Sequence, residues 1–393
     1  MLYLFIVYVV ATTGLLVGGV VERRRHRVSL ERIRHRVHIN GIRGKSSTTR
    51  LCAGALRGGG LTAVAKTTGT AARFIHPDGF EEPVRRKFNI PNISEQIGII
   101  RRAASFDPDA LVIECMAVQP ILQKASQEQI VHGTIGVLTN VREDHLVEMG
   151  PTLVDVARSL SSTMPRNGVC VTAERRHLPV LRQEAERRSC RLVSVDAEDV
   201  TDEEMAPFKH VTFKENVAVA LAVASEMGVD RVQALEGMYA APPDPGVAAV
   251  AEFVADRKLL RVANVFAAND PESTIMNVEQ LLSSGAIRPP IFTVINCRPD
   301  RVERNRQMGA IVPHLRTDRL FLIGHPVRSA REGLPHGWDG PVVELPGTDR
   351  SAVTIWRQLV AHTDVESSVV AIGNIHGLGE TLLEHLGMIG PLR

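Results

Sequence analysis

The sequence predicts an α/β protein with three parts: an N-terminal transmembrane helix, a central domain built on a parallel sheet with a P-loop, and a smaller C-terminal α/β domain. Three observations predict this class. The chain starts with a long uncharged stretch, a glycine-containing turn joins a strand to a helix at residues 38–49, and apolar strand-like runs alternate with helical patterns thereafter. The predicted boundaries are 1–21, 22–240 and 247–393.

The first 21 residues carry no charged side chain and are long enough to cross a bilayer as a helix. Seven arginines follow between positions 23 and 36, so the positive-inside rule predicts a single-pass protein of the cell membrane with cytoplasmic catalytic domains. The same arginines can contact anionic headgroups. A signal peptide is one alternative, although the basic residues follow the apolar stretch instead of preceding it. A helix buried in a partner protein is another.

The composition of the chain argues against several classes of protein. The formal net charge is +2, so nothing global indicates nucleic-acid binding. Five cysteines are scattered without C-x-x-C spacing, which argues against a zinc ribbon or a disulfide framework and favours a reducing, cytosolic setting.

Residues 38–49 read His-Ile-Asn-Gly-Ile-Arg-Gly-Lys-Ser-Ser-Thr-Thr. The two glycines allow backbone N–H groups to point at phosphate oxygens, the lysine can neutralise terminal phosphates, and the serine hydroxyl can ligate Mg²⁺. The loop is shorter than G-x-x-x-x-G-K-[ST], and a chance Gly-Lys-Ser turn is the alternative. The predicted cofactors are ATP and Mg²⁺, and the predicted nucleotide-binding residues here are Asn40, Gly41, Ile42, Arg43, Gly44, Lys45, Ser46 and Ser47.

The other elements follow from apolar runs and turn residues. Near-continuous apolar strands separated by helices predict a parallel sheet covered on both faces, with ligands at the carboxyl ends of the strands. A Pro-rich segment at 240–246 predicts an interdomain linker and hinge. The predicted strands lie at 37–39, 111–113, 135–138 and 168–171 in the central domain and at 260–265, 291–295, 320–323 and 369–372 in the C-terminal domain, and predicted helices run from the phosphate loop to about 57 and from 216 to 227.

Two strand ends carry candidate chemistry. Glu114 directly follows the strand at 111–113, and a carboxylate there suits Mg²⁺ beside a phosphate loop. His145 lies in the segment Thr-Asn-Val-Arg-Glu-Asp-His-Leu after the next strand, at 139–146. If the phosphate loop is left out of account, the simpler interpretations are that Glu114 is a solvated glutamate and that His145 is a surface histidine.

These motifs resemble, in the same order, those of the Mur ligase superfamily and its folylpolyglutamate synthases. The resemblance implies that Glu114 and His145 coordinate magnesium. Ser46 and Glu114 are then expected to hold one ion, and His145 to help with a second near the acceptor carboxylate. The resemblance also implies that Asn216 lies near the adenine and that the Asp300-Arg301 pair reaches ATP from the C-terminal domain.

A closer resemblance is to the ligase subunits of poly-γ-glutamate synthases, the PgsB/CapB type. It implies joining of a growing polyglutamate chain to glutamate, with small membrane subunits as partners. The motifs that carry it are the phosphate loop, Lys66-Thr67-Thr68-Gly69-Thr70, Glu114-Cys115-Met116-Ala117-Val118, Glu143-Asp144-His145, Ala241-Pro242-Pro243-Asp244-Pro245-Gly246, Asn296-Cys297-Arg298 and Gly373-Asn374-Ile375-His376-Gly377.

Departures from the wider superfamily are informative. No lysine occurs between Lys124 and Lys209, so the carbamylated lysine of many Mur ligases is absent or replaced. Asn269 stands where the superfamily's C-terminal motif has histidine. No separate nucleotide-sugar domain precedes the phosphate loop, which argues against a peptidoglycan-precursor ligase.

The implied reaction is ATP-dependent amide formation through an acyl phosphate. Lys45, Glu114, His145 and Arg301 are the predicted catalytic residues, with Arg301 acting when the second domain closes. Two alternatives stay open: a folylpolyglutamate-type or other γ-glutamyl ligase, and an ATP-binding subunit that powers export. Whether the chain forms a homo-oligomer is open too. Basic residues that could hold the acidic polymer are Lys66, Arg73, Arg85, Arg86 and Lys87, with a solvated basic face as the alternative for each.

Overall fold

The computed structural model describes residues 2–68, 72–84, 92–208, 210–244, 249–266, 268, 270–347 and 351–388. The chain divides into two compact units, Met1–Phe208 with Thr212–Asp244 and Lys209–Val211 with Pro245–Arg393. Several positions singled out in the sequence lie outside the described residues: Gly69, Thr70, Arg85, Arg86, Lys87, Pro245, Gly246, Ala267 and Asn269.

Helix α1 spans Leu2–Glu31 and is the one helix in the described chain that is long and apolar enough to cross a membrane. The helix continues without a break through the arginines that follow the apolar stretch. Its last turns pack on the first unit, where His26 Nε2 lies 2.7 Å from the carbonyl oxygen of Ile130 and Leu30 is buried. The apolar stretch is therefore joined to the folded part by a rigid element.

The first unit is built on an eight-stranded sheet, within the described residues, of order β4-β3-β2-β5-β1-β6-β7-β8. Strands β5, β1, β6 and β7 are the buried apolar runs predicted from the sequence, whereas the interior strand β2 was not predicted. Strands β3 and β4 are antiparallel additions at one edge, a difference from the all-parallel prediction, because a tight turn joins two strands of three residues each. The strands are β1 (His35–Asn40), β2 (Ala63–Lys66), β3 (Arg73–Ile75), β4 (Glu81–Pro83), β5 (Ala110–Glu114), β6 (Ile135–Leu138), β7 (Val169–Thr172) and β8 (Arg191–Ser194).

Helices cover both faces of this sheet, as predicted. Alternate residues of β2 and β5 enter different core clusters, and one cluster contains residues of α2, α9 and α10 while the other contains residues of α3 and the end of α1. The helices are α2 (Lys45–Gly58), α3 (Glu95–Ala104), α4 (Pro120–Ala125), a π-helical segment (Ser126–Val131), α5 (Leu146–Met149), α6 (Leu153–Leu160), α7 (Leu178–Arg187), α8 (Asp202–Met205), α9 (Lys214–Glu226) and α10 (Arg231–Ala240).

Glycines set the spacing between α2 and α10. A Cβ at Gly58 would lie 2.1 Å from the carbonyl oxygen of Gln233, and one at Gly237 would lie 2.1 Å from that of Gly54. Side chains at these positions would push the two backbones apart. Helix α2 is thus held close to its neighbour along the length that follows the phosphate loop.

The second unit contains a six-stranded sheet, within the described residues, of order β13-β12-β11-β14-β10-β9. The predicted strands of this part are confirmed, and β9 is an antiparallel edge strand that the sequence pattern did not indicate. The strands are β9 (Ala249–Ala255), β10 (Lys258–Asn264), β11 (Ile291–Cys297), β12 (Arg319–Gly324), β13 (Val342–Pro346) and β14 (Glu366–Gly373), and the helices are α11 (Pro271–Ser283), α12 (Val302–Ala310), α13 (Val327–Gly333), α14 (Ala352–His362) and α15 (Leu378–His385).

Candidate active site

The phosphate loop joins β1 to α2 at the carboxyl edge of the first sheet, where ligands of parallel sheets bind. Gly41 and Gly44 have φ angles of 128° and 77°, which side-chain-bearing residues rarely adopt. A Cβ at Gly41 would also lie 2.0 Å from Thr139 Oγ1. Both glycines are therefore required by the backbone path.

The N-terminus of α2 carries neither a side-chain cap nor an acidic residue in its first turn. The first N–H groups of a helix lack intrahelical partners and carry partial positive charge. Here they follow a glycine loop at the carboxyl edge of the sheet. This arrangement suits a phosphate group.

Lys45 is the first residue of α2, and its ammonium group is folded back onto the loop. Nζ donates to the carbonyl oxygens of Gly41 at 2.7 Å and Ile42 at 3.1 Å. Burial lowers the pKa of Lys45, and the nearby Glu114 carboxylate acts in the opposite direction. Carbonyl groups do not neutralise the ammonium charge, so a phosphate is a better partner for it.

Glu114 ends β5 beside the phosphate loop and is only 3% exposed. Its carboxylate accepts hydrogen bonds from Ser46 Oγ at 2.8 Å, Thr68 N at 2.8 Å and Thr68 Oγ1 at 2.5 Å. Gln96 donates to the Glu114 carbonyl oxygen at 3.0 Å. These donors orient a buried carboxylate next to a serine hydroxyl, and the joint Mg²⁺ role of Ser46 and Glu114 stays a prediction.

Residues 139–144, which follow β6, contact the phosphate loop on the side of β1 opposite to β5. Arg43 N donates to Asn140 Oδ1 at 3.0 Å, and Thr139 Oγ1 donates to the Arg43 carbonyl oxygen at 2.7 Å. The Arg43 guanidinium pairs with Asp144 at 2.9 Å. Residues 139–144 therefore position the phosphate loop.

His145 is 46% exposed and adopts a left-handed conformation, with a φ of 52°. Its ring lies 3.7 Å from Asp144 and 3.8 Å from Glu148. In the described part of the chain no hydrogen bond joins it to Ser46 or Glu114. Its metal-binding role stays a prediction.

The oxygen ligands Ser46 and Glu114 fit Mg²⁺, a hard cation. No group of three or more His, Cys, Asp or Glu residues that could hold a metal occurs among the described residues. An ion here would therefore need phosphate and water oxygens to complete its shell, which is how Mg²⁺ is bound in nucleotide sites.

The remaining residues of the first unit that were predicted to bind nucleotide lie in surroundings that differ from one another. The Asn40 amide is buried and donates to Gln123 Oε1 at 3.1 Å and Thr163 Oγ1 at 3.2 Å. The Ile42 side chain belongs to a core cluster. Ser47 lies in the first turn of α2, while the Asn216 amide lies beside the loop, 3.1 Å from where a Cβ of Gly44 would be.

Lys66 is not on a solvated face. It is 0% exposed and pairs with Glu95 at 2.9 Å. The alternative of a solvated basic face is therefore wrong for Lys66, because its charge is paired inside the unit, and its contact with the acidic polymer stays a prediction.

Three supporting residues were not predicted as site residues. Thr68 and Gln96 bind Glu114, as described above. Glu174, just beyond β7, is buried and accepts hydrogen bonds from Val141 N at 2.7 Å and His177 N at 3.0 Å. The strand-end rule that selected Glu114 would also have selected Glu174.

In the second unit, Asp300 and Arg301 lie in a 3₁₀ turn after β11, and both are exposed. Asp300 accepts two hydrogen bonds from Arg298, each of 2.9 Å. Arg301 lies 3.8 Å from the same carboxylate. The structure thus places this pair at the carboxyl edge of the second sheet.

A chain of buried asparagines holds two loops at that edge together. Asn296 donates to the carbonyl oxygens of Asn374 at 2.5 Å and His376 at 3.0 Å. Asn374 Nδ2 donates to Asn305 Oδ1 at 3.1 Å, and Asn305 Nδ2 donates to the Arg298 carbonyl oxygen at 2.9 Å. Buried amides with both ends paired fix backbone position. The network joins the loop after β11 to the turn after β14.

We expect Asn305→Ala to lower the free energy of unfolding of the second unit by about 2 kcal/mol or more, because it leaves buried partners unpaired. Both tryptophans, Trp338 and Trp356, lie in this unit, so urea denaturation followed by their fluorescence measures it selectively. Arg306→Ala, at an exposed position of the same helix, is the matched control and should change little. Equal stability of the two variants would contradict the role of the network.

Comparison with family models agrees with this arrangement. The Mur ligase middle domain matches residues 39–232, and the C-terminal domain of poly-gamma-glutamate synthase CapB matches residues 250–388. The fold is that of the Mur ligase class of ATP-dependent amide ligases.

Two curated relatives cover nearly the whole chain. PGA synthase CapB of Bacillus subtilis (strain 168) is 36% identical over 384 residues, which is 96% of each chain. Capsule biosynthesis protein CapB of Bacillus anthracis is 36% identical over 380 residues, covering 95% of this chain and 81% of that protein. The chain belongs to the CapB family of poly-γ-glutamate synthases.

Solved structures show the same fold at low sequence identity. Escherichia coli FolC in complex with ADP superposes with a TM-score of 0.68 at 15% identity over 93% of both chains. The bifunctional folylpolyglutamate synthase/dihydrofolate synthase of Yersinia pestis, complexed with AMPPNP and a Mn ion, gives 0.66 at 16% identity over 93% of this chain and 92% of that one. MurF of Acinetobacter baumannii gives 0.65 at 15% identity over 93% and 78%.

Proposed function

We propose that this chain is an ATP-dependent ligase that phosphorylates a carboxylate of a growing polyglutamate chain and joins it to the amino group of glutamate. The observation that carries the nucleotide role is the uncapped start of α2, with Lys45 at its first position and the Ser46–Glu114 hydrogen bond beside it. Membership of the CapB family supports the glutamate substrates.

In the first step a carboxylate oxygen of the polymer attacks the γ-phosphorus of ATP, the bond to the bridging oxygen breaks and ADP leaves. Such a step depends on positioning and on neutralising charge. The N–H groups of α2 and the Lys45 ammonium would hold the phosphates, and Ser46 and Glu114 would hold Mg²⁺. When bound, this ion neutralises charge on the β- and γ-phosphates.

In the second step the glutamate amine attacks the carbonyl carbon of the acyl phosphate, and inorganic phosphate and a proton leave as the amide forms. Water would compete with the amine, so the site must exclude it. Asp300 and Arg301 keep the nucleotide-contacting role that the family resemblance implies, and both side chains are exposed and able to meet a ligand. His145 keeps its implied role, which is to help hold a second magnesium ion near the acceptor carboxylate.

We also propose that α1 anchors the chain in the cell membrane as a single span, with the catalytic units in the cytoplasm. The apolar stretch of α1, which is not buried within the described structure, and the arginines that follow it support this placement. The resemblance adds small membrane subunits as partners.

The test is ADP release by the purified full-length protein in lipid, with and without glutamate, a polyglutamate acceptor and the membrane subunits. The proposal expects ADP release that requires both glutamate and the acceptor and that accompanies growth of an amide-linked polymer. ADP release indifferent to glutamate, without an amide product, would contradict it and favour a transport ATPase. Activity on a folate acceptor alone would favour the folylpolyglutamate-type ligase.

A further inference from the structure

An exposed aromatic patch, Phe80, His76 and Phe106, lies on the first unit away from the candidate active site. Phe80 is 63% exposed and Phe106 is 36% exposed. The His76 ring lies between them, with centroids 5.5 Å from Phe80 and 5.4 Å from Phe106. Large aromatic side chains that share an exposed surface usually mark a contact with something other than water.

The patch lies at the amino edge of the parallel strands. Strand β3 runs antiparallel to β2, so the turn after β3, which leads to Phe80, returns to the edge where β2 begins. Phe106 follows α3 and precedes Asp109, whose carbonyl oxygen accepts a hydrogen bond of 3.1 Å from His35 N at the start of β1. Helix α1 enters the sheet at this same edge.

The patch and α1 also share one face of the sheet. Leu30 and Ile33, at the end of α1, belong to the same core cluster as Phe74 of β3. The Phe74 ring in turn lies 5.2 Å from His76 and 6.2 Å from Phe106. The aromatic patch therefore lies on the side of the unit from which α1 leaves.

An ion pair joins α3 to α1 at the end of the apolar stretch of α1. Arg101 pairs with Glu22, the first charged residue after that stretch. The next residue of α3, Arg102, pairs with Glu82 and lies 4.3 Å above the Phe74 ring. The surface of α3 that adjoins the patch is thus close to the point where α1 would leave the bilayer.

The charge on α1 beyond its apolar stretch and on the segment after it is mainly positive. The acidic groups on this side of the unit are Glu22, Glu31, Asp78, Glu81, Glu82, Asp107 and Asp109, of which Glu22 and Glu82 pair with Arg101 and Arg102. Basic residues next to anionic lipid are attracted to it, and aromatic side chains favour the headgroup level. The exposed arginines of α1 and the short segment after it are Arg23, Arg24, Arg25, Arg27, Arg32 and Arg34.

We propose that the aromatic patch and these exposed arginines form a surface that lies on anionic lipid headgroups of the leaflet where α1 is anchored. This inference rests on the anchoring proposed above. A consequence concerns the phosphate loop, which lies at the opposite edge of the same sheet. The six residues of β1 separate the two edges by about 20 Å, so the loop faces away from the bilayer.

The test places tryptophan in the full-length protein and measures quenching by brominated lipids in vesicles of phosphatidylcholine and phosphatidylglycerol. The test variants are Phe80→Trp and Phe106→Trp. Val232→Trp is the matched control, because Val232 is as exposed as Phe80, at 62%, but lies on α10 over the other face of the sheet. Tyr8→Trp, within the apolar stretch, reports on anchoring, and the unchanged protein gives the background of the two native tryptophans.

We expect quenching at positions 80 and 106 to exceed that at 232 several-fold and to fall when neutral lipid replaces phosphatidylglycerol. Quenching at 8 without quenching at 80 and 106 would overturn the proposed surface while leaving the anchor intact. Loss of quenching at 8 would overturn both. Equal quenching in neutral lipid would overturn the role of the arginines. ADP release in the same vesicles tests the ligase function separately.

Discussion

Replacement of Lys45 by alanine is expected to lower glutamate-dependent ADP release by at least about 100-fold. The ammonium group is held near the start of α2 by two carbonyl oxygens, of Gly41 and Ile42, which leave its charge unneutralised. Negative charge on the transferring phosphoryl group would lose this partner in the variant. The measurement is the initial rate of ADP release at saturating glutamate and acceptor.

Lys124→Ala is the matched control, because Lys124 is an exposed lysine on α4 of the same unit. It should retain the full rate. Thermal unfolding of both variants separates a loss of chemistry from a loss of folding, and titration with a fluorescent ATP analogue separates binding from turnover. A Lys45→Ala protein that releases ADP at the unchanged rate would remove this lysine from the mechanism.

Most interior strands could be predicted because each is a short apolar run buried on both faces, as in β5 and β11. The interior strand β2 was missed, because its four residues include two alanines and a lysine. The edge strands could not be predicted either. Strand β4 is only three residues long and contains Glu81 and Glu82, and β9 alternates between exposed and half-buried positions. Edge strands have fewer neighbours, so their side chains are less constrained to be apolar.

The candidate site likewise has residues that could be predicted from the sequence and residues that could not. Lys45, Ser46 and Glu114 could be predicted from local rules, because a glycine loop and a strand end are visible in the sequence. Thr68 could not be assigned to Glu114, since their hydrogen bonds join residues 46 positions apart and depend on β2 pairing with β5. The contact of Gln96 likewise depends on where α3 packs.

The hydrogen bonds around Glu114 predict a second large effect on activity, for the substitution Glu114→Gln. The carboxylate accepts three hydrogen bonds, two from Thr68 and one from Ser46. An amide of the same shape has one oxygen and one N–H₂ group, so only one side of the group can still accept, and the Thr68 hydroxyl would have to accept from the N–H₂ group instead of donating to a carboxylate oxygen. The substitution also removes the negative charge that would attract Mg²⁺.

We therefore expect the Glu114→Gln enzyme to need much more Mg²⁺ for half-maximal ADP release and to lose at least about 100-fold in rate at a fixed, low concentration. Glu174→Gln is the matched control, because Glu174 is also a buried carboxylate of this unit but binds the backbone N–H groups of Val141 and His177. The Glu174→Gln substitution should lower the thermal stability of the protein and leave the Mg²⁺ requirement for ADP release unchanged. If both variants shift the Mg²⁺ requirement equally, Glu114 acts by supporting the fold and the metal ligand lies elsewhere.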